Sequence, residues 1–296
     1  MNRRHLFSAA VIGAAVATSG SAAARRTSRR GGVTIETHDR LRLHYRDIGE
    51  GRPLVFLAAW ALPSDAWAYQ TAALSEQGFR CIAYDRRGHG RSEDNGRGYD
   101  YDTLSDDLAA VLDALGVEDA VLVGHSMAAG EMVRYMSRHR GARVSKLLFV
   151  APAATPCLSQ YIDPAVFEVG RRTQLMRDFP KALRDGLRPL FGSPDMSQAM
   201  LDWVFDLMLR TTLEAAVGCN RAFTNADFRT ELPLITAPTR IIHGTADVSA
   251  RIDMTGRPTA ALIANAELIE YEGAPHGLTL THAEQLNADI AAFARS

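Results

Sequence analysis

Six short, continuous apolar runs are spread along the chain, and segments with helical spacing fill most of the gaps between them. Runs without polar alternation are typical of strands that are buried on both faces, as in a parallel sheet with helical crossovers. The pattern predicts an α/β protein with a doubly wound, mostly parallel sheet, in which ligands bind beyond the carboxyl ends of the strands. The runs lie at residues 54–58, 81–84, 120–123, 146–150, 240–243 and 267–271.

A hairpin and two helices are predicted clearly around these runs. Alternating polar and apolar residues at 33–37 and 41–45 favour a β-hairpin at one edge of the sheet. A helix is expected to begin at Asp102 or Thr103 and to stop at Gly116. Its apolar stripe consists of Leu104, Leu108, Val111, Leu112 and Leu115, and that of a C-terminal helix consists of Leu286, Ile290 and Phe293.

The alternation of strands and helices stops between residues 152 and 235, where bulky apolar residues recur at helical spacing. We therefore expect residues 152–235 to form a helical cap inserted into a core of residues 25–151 and 236–296. Most of the apolar cap residues should pack against the core, and the sequence does not show which of them face a pocket. They include Phe167, Leu175, Phe179, Leu187, Met200, Trp203, Val204, Leu207 and Met208.

The first residues resemble a twin-arginine export signal. Arg3 and Arg4 precede an apolar, alanine-rich stretch at residues 6–18, and small residues follow at 22–24. The stretch has roughly 12 residues against the roughly 20 of a membrane-spanning helix, so no stable membrane anchor is expected. We expect residues 1–24 to be a signal peptide and the protein to be periplasmic or secreted. The alternative is a flexible basic N-terminus of a cytoplasmic protein.

The overall composition favours a small-molecule partner. The formal net charge is −1 and 47% of the residues are hydrophobic, which fits a large globular domain. Charges are mixed along the chain, and the one basic stretch, residues 25–30, adjoins the export signal. No nucleic-acid partner is therefore expected. The sequence does not indicate the oligomeric state.

The chain has three cysteines. Cys81 lies in an apolar run and is expected to be a small buried hydrophobic residue. Cys157 and Cys219 both lie in the predicted cap. A disulfide between them is one alternative in an exported protein, but spacing alone cannot establish it.

The segment LVGHSMAAG, residues 122–130, joins an apolar run to a helical pattern and places Ser126 on a sharp strand-to-helix turn. A nucleophilic serine is found on such a turn. Because serine is a weak nucleophile, this hypothesis requires a histidine base, an acid that orients it, and backbone N–H donors for the oxyanion. The alternative is a serine that only caps the helix.

Four motifs follow one another along the chain: VFLAAW at 55–60, DRRGHGRS at 85–92, GHSM at 124–127 and EGAPHGL at 272–278. In this order they resemble the α/β-hydrolases, and more narrowly the branch of cofactor-free haloperoxidases and aryl esterases (perhydrolases). The resemblance covers most of the chain after the export signal. It implies an α/β-hydrolase fold with neither a cofactor nor a metal.

The resemblance implies a triad of Ser126, Asp247 and His276, in the family's order along the chain. Ser126 would attack an acyl carbon, with His276 as general base and then acid, while Asp247 holds the imidazole tautomer. Asp247 follows an apolar run, as the family's acid does. The alternative for the acid is Asp253.

The base also has alternatives, His243 and His282. His243 ends an apolar run, and His282 lies at the predicted start of the last helix, so His276 is favoured. Other titratable residues within the motifs are expected to be structural, namely Asp85, His89 and His125.

The resemblance also implies an oxyanion hole formed by the backbone N–H groups of Met127 and Trp60. Relatives usually have His-Gly before this tryptophan, whereas this chain has Ala58 and Ala59. Loss of the glycine is expected to remove access to positive φ. A misaimed Trp60 N–H would then cost roughly 100- to 1000-fold in turnover.

Two other positions depart from the family pattern. Ala128 stands where the Gly-x-Ser-x-Gly motif has its final glycine, and a small backbone shift should accommodate it because Ala129 and Gly130 keep the helix face slim. Ala61 stands where the family's proline associated with perhydrolysis follows the tryptophan. Hydrolysis is therefore expected to exceed peracid formation.

The leading interpretation is a serine hydrolase for small hydrophobic or aromatic esters, as Trp60, Met127 and the apolar cap suggest. Hydrogen peroxide could replace water as a side activity. The alternatives are a C–C bond or enol-lactone hydrolase with the same triad, and a non-catalytic ligand receptor on this fold. The chemistry of aspartate nucleophiles, as in haloalkane dehalogenases and epoxide hydrolases, is not expected because Ser126 occupies that position.

Overall fold

The chain folds around an eight-stranded sheet in a computed structural model that describes residues 33–153, 163–193 and 196–296. The strand order is β1-β2-β4-β3-β5-β6-β7-β8. β2 pairs antiparallel with both β1 and β4, and all the other neighbours are parallel. The strands are β1 Thr34–Glu36, β2 Arg42–Ile48, β3 Arg52–Leu57, β4 Phe79–Tyr84, β5 Ala120–His125, β6 Val144–Val150, β7 Thr239–Gly244 and β8 Ala266–Tyr271.

Helices cover both faces of the sheet, so the predicted α/β class with a doubly wound, mostly parallel sheet is confirmed. Successive side chains of a strand point to opposite faces. In β3, Leu54 and Phe56 accordingly belong to one apolar cluster, while Val55 and Leu57 belong to the other. The covering helices are α1 Ala68–Glu76, α2 Tyr101–Ala114, α3 Ala128–Arg138, α8 Gly256–Leu262, the short α9 Leu278–Thr281 and α10 Ala283–Arg295.

Among the described residues, four α-helices lie between β6 and β7, within the region predicted to be a cap. Each begins at a residue whose side chain accepts a backbone N–H of the first turn, which satisfies a donor that the helix leaves free. These residues are Asp163, Asp178, Ser197 and Thr212. The helices are α4 Pro164–Arg177, α5 Phe179–Phe191, α6 Gln198–Met208 and α7 Leu213–Thr224.

The helices and strands lie close to the positions that the sequence patterns predict, but one expectation about burial is wrong. The edge hairpin is present as β1 and β2, and the helix expected from Asp102 or Thr103 begins at Tyr101, because Asp100 caps it by accepting the Thr103 N–H at 2.9 Å. β8 was expected to be buried on both faces, which is wrong. It is the other edge of the sheet, and only Tyr271 in it is fully buried.

Several predictions concern residues outside the described part of the chain. The signal peptide at 1–24 lies outside it, as does Cys157. Cys219 is a buried free thiol, and Cys81 is also buried and free, as its apolar run predicted. None of the described helices is long and apolar enough to cross a membrane.

A buried ion pair connects three segments of the chain. They are the loop after β3, the loop after β4 and helix α3, which follows β5. Arg86, in the loop after β4, donates through Nε to Glu131 Oε1 at 2.7 Å, and Glu131 lies on α3. The same guanidinium donates to the carbonyl oxygens of Ala58 at 2.7 Å and Ala59 at 3.4 Å. Both charged side chains are almost fully buried, with 3% and 1% exposed. The loop after β3 is thereby attached to the helix after β5.

Replacing Glu131 with Gln should lower the free energy of unfolding by about 3 kcal/mol, because the buried charge of Arg86 would lose its counter-charge. Urea denaturation of the purified protein measures this change. The control is Glu267→Gln, which breaks the exposed contact with Arg240 at 2.6 Å. It should cost less than about 1 kcal/mol. Equal losses in the two variants would contradict the special role of the buried pair.

Candidate active site

Four of the predicted site residues lie just beyond the carboxyl ends of strands. Trp60 follows β3, Ser126 follows β5, Asp247 follows β7 and His276 follows β8. Because these strands are parallel, their carboxyl ends share one edge of the sheet, and the loops there can meet. The structure brings Ser126, His276 and Asp247 into direct contact.

The three side chains form a continuous chain of hydrogen bonds. Ser126 Oγ lies 2.9 Å from His276 Nε2, and His276 Nδ1 lies 2.7 Å from Asp247 Oδ2. Since a carboxylate only accepts, the proton on the imidazole belongs on Nδ1, which leaves Nε2 free to accept the serine hydroxyl. All three residues are buried, with 6% of Ser126 and 4% each of His276 and Asp247 exposed. This arrangement can move a proton from the serine to the histidine.

Ser126 is held in a backbone conformation that side chains rarely adopt. Its φ is 59°, in the left-handed region, where a non-glycine residue costs roughly 1–2 kcal/mol. The Ser126 N–H donates to Val150 O at 2.9 Å, and Ser126 O accepts the N–H groups of Ala129 and Ala153, each at 3.2 Å. These bonds to β6, to the segment that follows it and to α3 maintain the strained turn, as expected at a functional position.

Asp247 is stabilised as a carboxylate on both of its oxygens. Oδ1 accepts the backbone N–H groups of Ser249 and Ala250, both at 2.8 Å. Oδ2 contacts His276 and also lies 3.2 Å from Nε2 of the fully buried His243. Burial alone would raise the pKa of Asp247, but the two imidazoles outweigh it and hold the pKa well below its ordinary value. The acid stays ionised.

A second histidine supports the loop that carries His276. His125 Nε2 donates to the backbone oxygen of His276 at 3.0 Å, and the two rings are 4.9 Å apart. Burial, and then the neighbouring His276, lowers the pKa of His125 to about 3. His125 is therefore a neutral donor that positions its neighbour.

The two predicted oxyanion donors lie in the loops next to Ser126. Among the described residues, neither the Met127 N–H nor the Trp60 N–H is used in a hydrogen bond to another group. Met127 directly follows the serine, and Trp60 lines the same cavity as Ser126. The indole of Trp60 is fixed by its Nε1–H, which donates to Ala216 O on α7 at 2.8 Å. Both backbone donors are available for a bound oxyanion.

The loop before Trp60 accommodates Ala58 and Ala59 without a left-handed residue at either position. Neither Ala58 nor Ala59 has a positive φ, and the carbonyl oxygens of both are held by Arg86. The left-handed residue of this loop is Ala61, with a φ of 58°. A proline fixes φ near −65°, so the proline associated with perhydrolysis does not fit this loop conformation.

Two glycines near Ala128 leave room for side chains that pack against the turn. A Cβ at Gly124 would lie 2.3 Å from Sδ of Met132, but at an ordinary 3.4 Å from the Cβ of Ala128. At Gly130 a Cβ would lie 2.5 Å from the ring of Tyr101. Tyr101 uses this space and donates its hydroxyl to Met127 O at 3.0 Å.

The competing acid and one competing base lie elsewhere. Asp253 is about half exposed and pairs with Arg251 at 2.8 Å. His282 directly precedes α10, with its ring 5.8 Å from that of Tyr271. Neither takes part in the hydrogen bonds of Ser126.

The residues expected to be structural bind neighbouring groups. Asp85 accepts the Ser64 hydroxyl at 2.5 Å and the Arg91 N–H at 2.9 Å. His89 is fully buried, with Nδ1 2.9 Å from Arg87 O. Both belong to the packing of the loop after β4.

A cavity of about 700 Å³ opens above Ser126 and His276. Its described wall contains one arginine, Arg171 of α4, which the sequence analysis did not identify. Nothing in the sequence distinguishes Arg171 from Arg172 beside it, because only packing decides which of them faces inward. The contact of His243 with Asp247 was missed for the same reason. The apolar lining includes Val166, Leu190, Phe191, Met208, Phe223 and Val248.

Comparison with known proteins identifies the class to which this fold and site belong. Residues 54–289 match the model of the alpha/beta hydrolase family. The chain therefore belongs to the alpha/beta hydrolase family, whose similar members are named as hydrolytic enzymes or haloperoxidases.

Individual relatives are similar over nearly their whole length. A non-heme chloroperoxidase of Kitasatospora aureofaciens is 35% identical over 270 residues, which cover 87% of this chain and 97% of the relative. A bifunctional esterase/perhydrolase of Acinetobacter calcoaceticus is 34% identical, with 88% and 99% covered. The crystal structure of a bromoperoxidase from Bacillus anthracis is similar at a TM-score of 0.85 and 30% identity, covering 90% of this chain and all of that one.

The buried neutral His125 should make the folded protein less stable in acid. Its pKa is about 3 in the folded state against an ordinary 6.5. Between these values the unfolded state binds one more proton, so the free energy of unfolding falls as the pH drops, by about 1.4 kcal/mol per pH unit from this group. The free energy of unfolding can be measured by urea denaturation at several pH values between 6.5 and 4.5. Its dependence on pH should be weaker in His125→Asn by about 1.4 kcal/mol per pH unit. The exposed His38, changed to Asn, is the control, and the same change in slope there would refute the assignment.

Proposed function

We propose that this protein is a serine hydrolase that cleaves small esters through an acyl-enzyme on Ser126. The observation that carries the proposal is the buried chain of hydrogen bonds from Ser126 through His276 to Asp247, at 2.9 and 2.7 Å. Such a chain, on a strained turn with free backbone donors beside it, has the parts that acyl transfer requires. A non-catalytic receptor would have no use for them.

In the proposed acylation step, Ser126 Oγ attacks the ester carbonyl while His276 Nε2 takes its proton. Asp247 stabilises the imidazolium and keeps its Nδ1–H in place. The Met127 and Trp60 N–H groups bind the oxyanion of the tetrahedral intermediate. When the intermediate collapses, the C–O bond to the alcohol breaks, and His276 returns the proton to the leaving oxygen.

In the second step a water molecule attacks the acyl carbon with His276 as base, which releases the acid and restores Ser126. Hydrogen peroxide could attack in the same way and release a peracid, as the name of the Acinetobacter relative indicates for that protein. We propose hydrolysis as the main reaction, because the left-handed Ala61 occupies the position of the proline associated with perhydrolysis.

The proposed substrates have mainly apolar acyl groups of small size. Leu190, Phe191 and Met208 line the cavity above the serine. We further propose that α4 to α7 act as a cap that keeps water from this cavity, with the core formed by the chain on either side of residues 152–235.

Ser126→Ala should reduce the turnover of p-nitrophenyl acetate and butyrate by about 10⁴-fold or more. Asp247→Asn should reduce kcat by about 10⁴-fold because the wrong imidazole tautomer forms. The matched control, Asp253→Asn, changes the competing acid and should stay within about threefold of the wild type. Parallel assays with hydrogen peroxide and a halide acceptor measure the peracid reaction.

A fluorophosphonate probe provides the complementary test of the nucleophile. It should label the wild-type protein and not Ser126→Ala. A folded wild type that neither reacts with the probe nor turns over any ester would contradict the proposal and favour the receptor alternative.

We also propose that residues 1–24 are a twin-arginine signal that directs export of the folded protein. Its support is the Arg3–Arg4 pair before a short apolar stretch. In a bacterial host, changing both arginines to lysine should keep the full-length chain inside the cell, whereas the wild type should be exported and trimmed near Ala24. Changing a later pair, Arg29 and Arg30, to lysine is the control. Equal export of all three proteins would refute the signal.

A further inference from the structure

One cationic side chain lies in the wall of the cavity without an acidic partner among the described side chains. Arg171, on α4, lines the same cavity as Ser126 and His276. Its Nη1 donates to Gln174 Oε1 at 3.3 Å, and its guanidinium carbon lies 5.2 Å from the centre of the Trp60 ring. These neighbours hold the guanidinium in place, but neither neutralises its charge.

The surroundings of Arg171 penalise its charge. Removal from water lowers the pKa of Arg171, and no described group opposes this effect. Arginine nevertheless stays protonated in proteins, so the charge itself persists. The face of Trp60 stabilises a cation only partly. A partly desolvated cation without a counter-ion gains most when an anion binds to it.

The other charges near the cavity do not supply this counter-ion. Asp163 also lines the cavity, but its Oδ1 accepts the N–H of Ala165 at 2.9 Å at the start of α4, and it is exposed to solvent. Asp247 is already bound to His276 and His243. Apart from His276, the remaining described residues of the lining have no ionisable side chain. Among the described residues of the lining, Arg171 therefore provides the position suited to an anion.

Trp60 connects Arg171 to the part of the sheet edge that carries the serine turn. The ring beneath the guanidinium belongs to Trp60, whose indole is fixed to Ala216 at 2.8 Å and whose backbone follows β3 next to the serine turn. An anion at Arg171 and an ester at Ser126 can thus be two ends of one molecule, with the apolar wall along the carbon chain between them.

We propose that Arg171 binds a carboxylate carried by the acyl part of the substrate. The preferred substrates are then esters or lactones whose acyl chain ends in a carboxylate, such as half-esters of short dicarboxylic acids. Two parallel N–H groups of a guanidinium can bind the two oxygens of one carboxylate. This geometry suits an arginine at position 171 to such a ligand. The inference rests on the proposed function, because it needs Ser126 to attack the other end.

The kinetic test compares substrates that differ only in charge. Monoethyl succinate, glutarate and adipate are paired with the corresponding ethyl carboxamides, and hydrolysis is followed by chromatography of the products. In the wild type, kcat/KM for at least one carboxylate should exceed that for its carboxamide by roughly 10-fold or more. A ratio near one for all three pairs would overturn the inference, and if these esters are still hydrolysed at Ser126, the proposed function stands.

Three variants separate a binding role from a general charge effect. Arg171→Gln should lower the carboxylate-to-carboxamide ratio by roughly 10- to 100-fold, and Arg171→Lys should give an intermediate ratio because it keeps the charge but loses the fork. Arg172→Gln is the matched control, since it removes the same charge from the adjacent, exposed position. Equal changes in the ratio for Arg171→Gln and Arg172→Gln would overturn the inference.

A binding measurement tests the site independently of catalysis. Calorimetric titration of the wild-type protein with glutarate and with glutaramide should show tighter binding of the dianion, and Arg171→Gln should remove the difference. This result would support the anion site even if no ester were hydrolysed, in which case the proposed function alone would fail. Equal binding of both compounds to the wild type would overturn the site.

Discussion

The geometry of the site depends on the buried pair of Arg86 and Glu131. The guanidinium binds Glu131 on the helix after the serine turn and the carbonyl oxygens of Ala58 and Ala59 in the loop after β3. These two segments carry the two proposed oxyanion donors, and one cation fixes the distance between them. Because neither charge can be left alone in the interior without a large cost, the loops cannot separate while the protein stays folded.

Around the serine, each side chain of the hydrogen-bonded chain is held by a further contact. Backbone N–H groups hold Asp247, the oxygen of His276 accepts a bond from neutral His125, and β6 holds the left-handed Ser126. Strain at Ser126 is tolerated because the surrounding bonds outweigh it. Helices α4 to α7 add apolar side chains and the cation of Arg171 to the wall of the cavity above this edge of the sheet.

The departures from the family pattern show how far sequence reasoning extends. Replacement of His-Gly by Ala58 and Ala59 suggested a damaged loop, since a glycine is often present for positive φ. The structure puts the left-handed residue at Ala61 instead, and Arg86 holds the two alanines. β8 was misjudged because an apolar run does not reveal whether a strand lies at the edge or the centre of a sheet.

Most strands and helices, and the positions of Ser126, Asp247 and His276 after strand ends, could be predicted from the sequence, because hydrophobic periodicity and turn residues act over a few neighbouring positions. That the three residues meet, that β4 lies between β2 and β3, and that Arg171 rather than Arg172 lines the cavity became visible in the folded chain alone. These contacts join residues that are far apart in the chain. Their existence depends on how whole elements pack and on which way each side chain then points.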